Sequence, residues 1–237
     1  MNLTDFKVLT FDVYGTLIDW ETGMVNGLKT LTDKMSRRIT RNEILEAHAH
    51  YESSTQLYTP TKVYSDTLAV VYKRLAEEWG VVVTWSDCLT YGASVKDWPA
   101  FKDSVEALQY LKHHFVLVVL SNIDNTNFVH SNKKLNVVFD AVYTAEDIGS
   151  YKPSQVNFDN MIENLERLGI EKTEILHTAE SMFHDHAPAN HCGLSNCWIY
   201  RRHGQEGFGA TMNPGPMPSY NMVFNSILYN CCLSFKR

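Results

Sequence analysis

The feature that most constrains the fold is a regular alternation of apolar and helix-forming segments between residues 98 and 203. The apolar segments have the length and composition of strands, and they read "FVLVVLS", "FDAVYTA", "EILHTA" and "NCWIYR". The segments between them have helical spacing, as in "SVEALQYLKHH", "NTNFVHSNKKL" and "SQVNFDNMIENLERLG". Apolar strands that alternate with helices are typical of a parallel sheet covered on both faces. The pattern therefore predicts an α/β protein with a Rossmann-like parallel sheet.

The first strand of this sheet is separated from the others by a long helical segment. The stretch "FKVLTF" at residues 6–11 has strand composition, whereas residues 21–90 contain two long helical patterns and no strand pattern. The sequence thus predicts a core formed by residues 1–20 and 91–203, with an inserted α-helical cap at 21–90. Residues 204–237 are predicted to form a C-terminal loop and tail. The glycine spacing there does not match G-x-G-x-x-G, which disfavours nucleotide binding.

Composition narrows the classes of partner and compartment. The 237 residues carry a formal net charge of −6 and no basic run, which disfavours nucleic acid and anionic membrane surfaces as partners. The longest apolar run, at 115–120, is too short to span a bilayer. There is no secretion-signal pattern, and the five cysteines form no C-x-x-C motif. We therefore expect a cytoplasmic protein with reduced thiols.

Polar side chains follow four of the predicted strands. Asp12 follows the first strand, Ser121 and Asn122 follow the second, Lys152 follows the third, and Glu180, Ser181 and Asp185 follow the fourth. A helix cap, a solvated lysine or an acid at a helix start would explain each one singly. Because open parallel sheets bind ligands at the carboxyl ends of their strands, the set together predicts an active site with Asp12 as nucleophile.

The ordered motifs "FDVYGTL", "LSN", "YKP" and "ESMFHD" resemble the four motifs of the haloacid dehalogenase superfamily over roughly residues 5–203. Tyr14 stands where the phosphatases of that superfamily have a second Asp, and the Asp-x-Tyr-Gly-Thr sequence is similar to the type II (S)-2-haloacid dehalogenases. The resemblance implies hydrolytic dehalogenation of 2-haloalkanoic acids through an aspartyl-ester intermediate. It also implies no cofactor, no metal and a possible homodimer.

The resemblance further implies a role for each site residue. Asp12 would displace the halide, Lys152 would hold Asp12 ionised, Thr16 would hydrogen-bond near Asp12, and Asp185 would orient Lys152 and the hydrolytic water. Two donors, Ser121 and Asn122, would bind the substrate carboxylate or the departing halide. Aromatic side chains would wall a dry pocket, and those considered are Tyr14, Phe158 and Trp98.

Two departures from the family pattern bear on the substrate. The family's cap usually offers an arginine to the halide and carboxylate, but the matching segment "EAHAHYESS" contains His48 and His50 and no arginine. The family often has Asn in the fourth motif, where Met182 aligns. Both differences disfavour simple short haloacids as the natural substrate and leave a different electrophile open.

Three alternatives remain at this point. Glu180 and Asp185 have the five-residue offset of the acidic pair that holds Mg²⁺ in superfamily phosphatases, so a magnesium-dependent small-molecule phosphatase is one alternative. A recruited biosynthetic enzyme with this fold and a non-catalytic scaffold are the other two. Zinc binding by the cluster near His184 and Cys192 is disfavoured, because positions two apart point to different sides of a helix.

Overall fold

The computed structural model describes residues 1–228 of the chain. Within this part, six parallel strands form one sheet in the order β3-β2-β1-β4-β5-β6. Their bounds are Val8–Phe11 (β1), Val116–Ser121 (β2), Ala141–Thr144 (β3), Ile175–Ala179 (β4), Ser195–Ile199 (β5) and Met222–Phe224 (β6). The predicted Rossmann-like α/β fold is confirmed.

Ten α-helices occur in the described part of the chain. The first five follow β1 and precede β2, and they are Trp20–Gly27 (α1), Lys29–Thr32 (α2), Arg41–Tyr58 (α3), Tyr64–Glu78 (α4) and Trp85–Gly92 (α5). The others follow later, and they are Ser104–Lys112 (α6), Asn125–Leu135 (α7), Ala145–Ile148 (α8), Gln155–Arg167 (α9) and Ala187–His191 (α10). We call α1–α5 the inserted helices.

The strand order creates one point where the chain changes direction across the sheet. Successive strands run from β1 to β3 on one side, and the chain then crosses to β4 on the other side of β1. The loops that follow the adjacent strands β1 and β4 therefore lead away from each other and leave a crevice between them. Open α/β sheets bind ligands in such a crevice. Asp12 directly follows β1 at this crevice.

Burial explains why the strands read as apolar throughout. Every residue of β1 and β4 is buried, because helices cover both faces of the central sheet. A main hydrophobic core joins β1 and β2 to the inserted helices through side chains such as Phe11, Met24 and Leu68. A second core on the other face packs α9 onto the sheet through Phe158, Met161 and Ile162.

Two local features were not apparent from the sequence pattern. A three-residue strand, β6, lies within the segment for which loop and tail are predicted, and it extends the sheet beside β5. A π-helical turn, Met182–His186, precedes the short helix α10. Three residues are near the lower limit of strand length, and no apolar alternation marks them.

The described residues also bear on the predictions about membrane-spanning segments and cysteines. None of the helices in residues 1–228 combines the length and apolar character needed to cross a bilayer. Cys88 and Cys192 are free thiols, and Cys197 is buried in β5. The other two cysteines, Cys231 and Cys232, lie outside the described residues.

Candidate active site

A tight turn after β1 presents the Asp12 carboxylate at the sheet edge. Gly15 has φ +96°, and a Cβ built there would lie 2.9 Å from Trp20 Nε1, so the turn requires glycine. The turn brings the buried Thr16 side chain back to the strand end, where Thr16 Oγ1 donates to Asp12 Oδ2 at 2.8 Å. Thr16 Oγ1 also accepts from Glu180 N at 2.9 Å, which ties the turn to the loop after β4.

Lys152 is buried between two carboxylates. Its Nζ donates to Asp12 Oδ1 at 2.9 Å, to Asp185 Oδ1 at 2.6 Å and to Leu120 O at 2.9 Å. The side chain is 1% exposed, so these three bonds use every donor of the ammonium group in a site away from solvent. The structure thus brings together Asp12, Lys152 and Asp185 from three segments that follow different strands.

His177 contacts the same oxygen of Asp185 as Lys152 does. Its Nε2 lies 3.0 Å from Asp185 Oδ1, and its Nδ1 lies 2.8 Å from Thr10 Oγ1. Burial lowers the pKa of His177, so the ring is held neutral, with Nε2 donating to Asp185 and Nδ1 accepting from Thr10. His177 sits in the middle of β4 and reads as a core residue, so sequence analysis did not single it out.

Burial and mutual charge set the ionisation of the three groups. Burial raises the pKa of Asp12, and the charge and hydrogen bond of Lys152 oppose that rise. For Asp185, burial also acts upward, but Lys152 and His177 outweigh it and hold the pKa below its ordinary value. Burial acts to lower the pKa of Lys152, yet the two carboxylates raise it above its ordinary value. Lys152 therefore stays an ammonium ion at neutral pH.

The two donors that follow β2 have different surroundings. Ser121 is buried and lines the pocket beside Asp12, and its Oγ has no hydrogen-bond partner among residues 1–228. Asn122 also lines the pocket, but its amide bonds the backbone of Lys152 in both directions, with Nδ2–O at 2.9 Å and Oδ1–N at 2.7 Å. Ser121 is free to meet a ligand, whereas Asn122 positions the Lys152 loop.

Tyr14 forms part of the pocket wall. Its hydroxyl is 2.7 Å from Ser131 Oγ, and its ring packs edge-on against Trp98 with centroids 5.7 Å apart. Burial raises the pKa of Tyr14 above its ordinary value, which makes the phenol a poorer proton donor. Trp98 is 1% exposed and supports Tyr14 from the core rather than lining the pocket.

Phe158 lies away from the pocket, although the sequence analysis considers it as one of the aromatic residues of the pocket wall. The side chain is fully buried in the core formed by α9, and its ring is 5.2 Å from the ring of His177. Phe158 therefore packs behind the residue that orients Asp185 and does not face the space beside Asp12.

The inserted helices close the pocket with three polar side chains. Glu52 and Gln56 of α3 and Tyr64 of α4 line the same space as Asp12 and Lys152. Glu52 is 5% exposed, and its Oε1 accepts from Gln56 Nε2 at 3.2 Å. The sequence does carry a signal for these residues, because His48, Glu52 and Gln56 recur every four positions and put polar groups on one face of a helix.

None of the three arginines near the start of α3 reaches this pocket. Arg37 pairs with Glu43 at the surface, and Arg41 is 44% exposed and lies 3.7 Å from Glu21. Arg38 and His50 are exposed. Among the pocket-lining residues of the described chain, Lys152 is the one lysine or arginine.

Glu180 faces a different cavity from Asp12. It lines a cavity with Glu21 and Arg202, and Arg202 Nη1 contacts both oxygens of Glu21 at 2.7 Å. Burial raises the pKa of Glu180 to about 8, with a further upward contribution from Glu21 and an opposing one from Arg202. Glu180 therefore does not complete an acidic pair with Asp185 inside the pocket.

These positions fit a magnesium site poorly. Among residues 1–228, no three His, Cys, Asp or Glu side chains converge in a metal-binding arrangement. Asp12 Oδ1 and Asp185 Oδ1 already share the Lys152 ammonium, and the carboxylate of Glu180 lines another cavity. Mg²⁺ needs several oxygen ligands around one centre, so these side chains do not supply its usual set.

A chain of contacts links the Asp12 turn to the far edge of the sheet. Arg201, which follows β5, donates to Thr16 O through Nε at 3.1 Å and Nη2 at 2.9 Å. Its Nη1 contacts Asp103 Oδ1 at 2.8 Å, and Asp103 Oδ2 accepts from Ile227 N at 2.8 Å. The backbone that follows β6 is thereby connected to the turn that carries the nucleophile candidate.

Solved structures share this architecture over nearly the whole chain. One, described as a dehalogenase with intermediate complex, has a TM-score of 0.77 and 19% identity and covers 98% of this chain and 99% of its own. L-2-haloacid dehalogenase from Xanthobacter autotrophicus with covalently bound chloropropionic acid has a TM-score of 0.73 and 16% identity, with coverage of 94% and 95%. At these identities the likeness establishes the fold.

A magnesium-bound structure is similar to a comparable degree. The putative hydrolase YfnB from Bacillus subtilis, bound to magnesium, has a TM-score of 0.72 and 16% identity and covers 94% of this chain and 96% of its own. Similarity of fold therefore does not decide whether this chain binds magnesium. No curated protein sequence matches the chain significantly.

A sequence-based match that covers most of the site shows the family. A family model described as haloacid dehalogenase-like hydrolase matches residues 6–178, which is more than half of the 237 residues. The matched range begins just before β1 and ends in β4, so it includes Asp12, Ser121 and Lys152. The chain therefore belongs to the haloacid dehalogenase-like hydrolases.

Proposed function

We propose that this hydrolase displaces halide from a 2-haloalkanoic acid or a close derivative through an ester formed on Asp12. The observation that carries the proposal is the position of Lys152 Nζ, bonded to Asp12 Oδ1 at 2.9 Å and Asp185 Oδ1 at 2.6 Å. The ammonium opposes the rise in pKa that burial causes at Asp12, and so favours the ionised carboxylate, which is the form that can attack carbon.

The reaction has two steps. A carboxylate oxygen of Asp12 forms a bond to C2 of the substrate, and the C2–halogen bond breaks with its electron pair leaving as halide. Water then attacks Cγ of the Asp12 ester, the Cγ–O bond to the substrate breaks, and a 2-hydroxy product departs. One oxygen from water stays on Asp12, and one proton is released.

The surrounding residues support each step. Thr16 and Lys152 aim the carboxylate, and the free hydroxyl of Ser121 is placed to donate to a ligand. Asp185 Oδ2 has no partner among residues 1–228 and offers an acceptor for the hydrolytic water. Halide is a good leaving group and needs no acid, which suits a site where Tyr14 replaces the phosphatase Asp and its hydroxyl contacts Ser131.

A paired assay tests the proposal. We expect halide release from a panel of 2-chloro and 2-bromo acids, esters and amides, and we expect it to persist in excess EDTA. Phosphate esters assayed with added Mg²⁺ should release little phosphate, because Asp12 and Asp185 are engaged by Lys152. Magnesium-dependent phosphate release without halide release would instead identify a phosphatase.

A further inference from the structure

The side of the pocket formed by the inserted helices is acidic. Glu52 is 5% exposed and lies beside Tyr64, whose pKa is raised by burial and then by the nearby Glu52 carboxylate. Its Oε2 nevertheless accepts no hydrogen bond of good geometry among residues 1–228. His48 Nδ1 lies 3.4 Å from that oxygen, within reach of an ion pair but outside hydrogen-bond geometry. Burial of a carboxylate oxygen without a hydrogen-bond donor destabilises the protein. A ligand that brings a donor to this oxygen removes that cost and therefore binds more tightly.

The positive charge available to a ligand in this pocket is small. Lys152 is fully engaged with Asp12, Asp185 and Leu120 O. Burial lowers the pKa of His184, which also lines the pocket, so this ring is neutral at neutral pH. Ser121 supplies an uncommitted donor to this pocket, and that donor is an uncharged hydroxyl.

A substrate carboxylate would therefore meet like charge on several sides. Asp12, Asp185 and Glu52 all face the pocket, and no free lysine or arginine of the described chain faces them. Like charges in a site screened from water repel strongly, and an unpaired buried carboxylate carries a desolvation cost as well. An amide group avoids both costs, because it is uncharged and offers both a donor and an acceptor.

We propose that the site selects a 2-halocarboxamide over the corresponding 2-haloalkanoate, with the substrate amide N–H donating to Glu52 and its carbonyl accepting from Ser121. This inference rests on the proposed dehalogenation and adds the substrate class to it. Glu52 acts as a specificity-determining residue, because its charge favours a donor and disfavours an anion. Gln56 holds it in place through the bond to Oε1.

The first test measures halide release from 2-chloropropionamide and from 2-chloropropionate. Each enzymatic rate is divided by the rate at which free acetate displaces chloride from the same compound, which corrects for the different reactivity of the two substrates. We expect the enzyme to favour the amide by about tenfold or more in kcat/KM. The Glu52→Gln variant keeps the shape and removes the charge, so it should reduce this ratio by about tenfold, the effect of ~1.4 kcal/mol. Glu46→Gln, at an exposed position of the same helix, is the control and should leave the ratio unchanged.

The second test measures binding without turnover, using lactamide and lactate in titrations followed by NMR. We expect lactamide to bind the unmodified protein more tightly, and Glu52→Gln to weaken lactamide and strengthen lactate. That pattern without any halide release would support the amide preference while contradicting the proposed dehalogenation. A preference for 2-chloropropionate or lactate that Glu52→Gln leaves unchanged overturns the inference, and so does binding of neither ligand. If Glu52→Gln does not fold, the amide-to-acid ratios of the unmodified protein decide the outcome.

Discussion

Lys152 Nζ lies within hydrogen-bond distance of both Asp12 Oδ1 and Asp185 Oδ1, at 2.9 and 2.6 Å. One ammonium thus neutralises part of a buried pair of carboxylates that come from different strand ends. Removal of the lysine, or of the carboxylates, would leave the opposite charge buried without a partner. Activity and stability are therefore coupled at this centre, and experiments on it need a readout for each.

Replacement of Lys152 by Met should abolish most of the activity and also destabilise the protein. We expect turnover to fall by about 10²-fold or more, because a charge aligned with the reaction is lost. The free energy of unfolding should fall by about 3–5 kcal/mol, since two buried carboxylates lose their partner. Halide release and urea unfolding measure the two effects. Lys172→Met, at an exposed position, is the control, and unchanged turnover in Lys152→Met would contradict the role given to Lys152.

Isotope transfer tests the covalent role of Asp12. In a single turnover in heavy-oxygen water, the label should appear on Asp12 and the first product should carry an unlabelled oxygen from the protein. Mass spectrometry of the peptide that contains Asp12 detects the label, and an Asp12→Asn variant provides the unlabelled baseline. A first product that takes all its new oxygen from solvent would show direct attack by water.

Thr16 should matter through its hydroxyl rather than its shape. Thr16→Val keeps the volume but removes the donor to Asp12 Oδ2 and the acceptor for Glu180 N. We expect a loss of about 1–3 kcal/mol in stability and about tenfold or more in turnover, because buried groups lose their partners. Thr16→Ser retains the hydroxyl and should stay close to the unmodified protein. Equal losses in both variants would point to packing instead.

Glu180 should make stability depend on pH between about 5 and 8. Its pKa is raised from the ordinary 4.5 to about 8 in the folded protein, so the folded state binds more protons than the unfolded state in this window. The contribution of Glu180 to the free energy of unfolding is therefore most favourable at low pH, and it is lost as the pH rises toward 8. Glu180→Gln removes the dependence, so its midpoint of thermal unfolding should rise relative to the unmodified protein by a few degrees from pH 5 to pH 8. A midpoint difference that is constant with pH would contradict the raised pKa.

The Glu180→Gln variant also tests whether Glu180 takes part in the reaction. Because Glu180 lines the cavity with Arg202 and not the Asp12 pocket, Glu180→Gln should keep halide release within about threefold of normal. Release measured at pH 7, with and without EDTA, provides the comparison. Loss of a magnesium-dependent activity in this variant would favour the phosphatase alternative.

The sequence predicts the sheet well because its strands are buried on both faces and read as apolar runs. "FKVLTF" contains β1, and "EILHTA" contains β4, with boundaries within two residues. The rule that ligands bind at strand ends then groups Asp12, Lys152 and Asp185, and the structure places these three side chains in contact. Order along the chain and strand-end position suffice for this part of the site.

The residues that sequence analysis missed depend on tertiary contacts. His177 sits inside an apolar strand, and only its distance to Asp185 Oδ1 shows that it belongs to the site. Glu52 shares one helix face with His48 and Gln56, but that spacing alone does not show that the face is buried beside Asp12. Phe158 follows Lys152 by only six positions, but the direction of α9 turns its ring into the core.

The contacts from Thr16 O through Arg201 and Asp103 to Ile227 N extend the site beyond the residues that touch a ligand. The guanidinium also lies 4.1 Å from the centre of the Phe101 ring, so it is held on several sides. In protein engineering, the backbone around β6 should therefore be treated as part of the scaffold that positions Asp12. We expect libraries that shorten or graft the segment after β5 to alter the shape of the Asp12 turn without changing any pocket side chain.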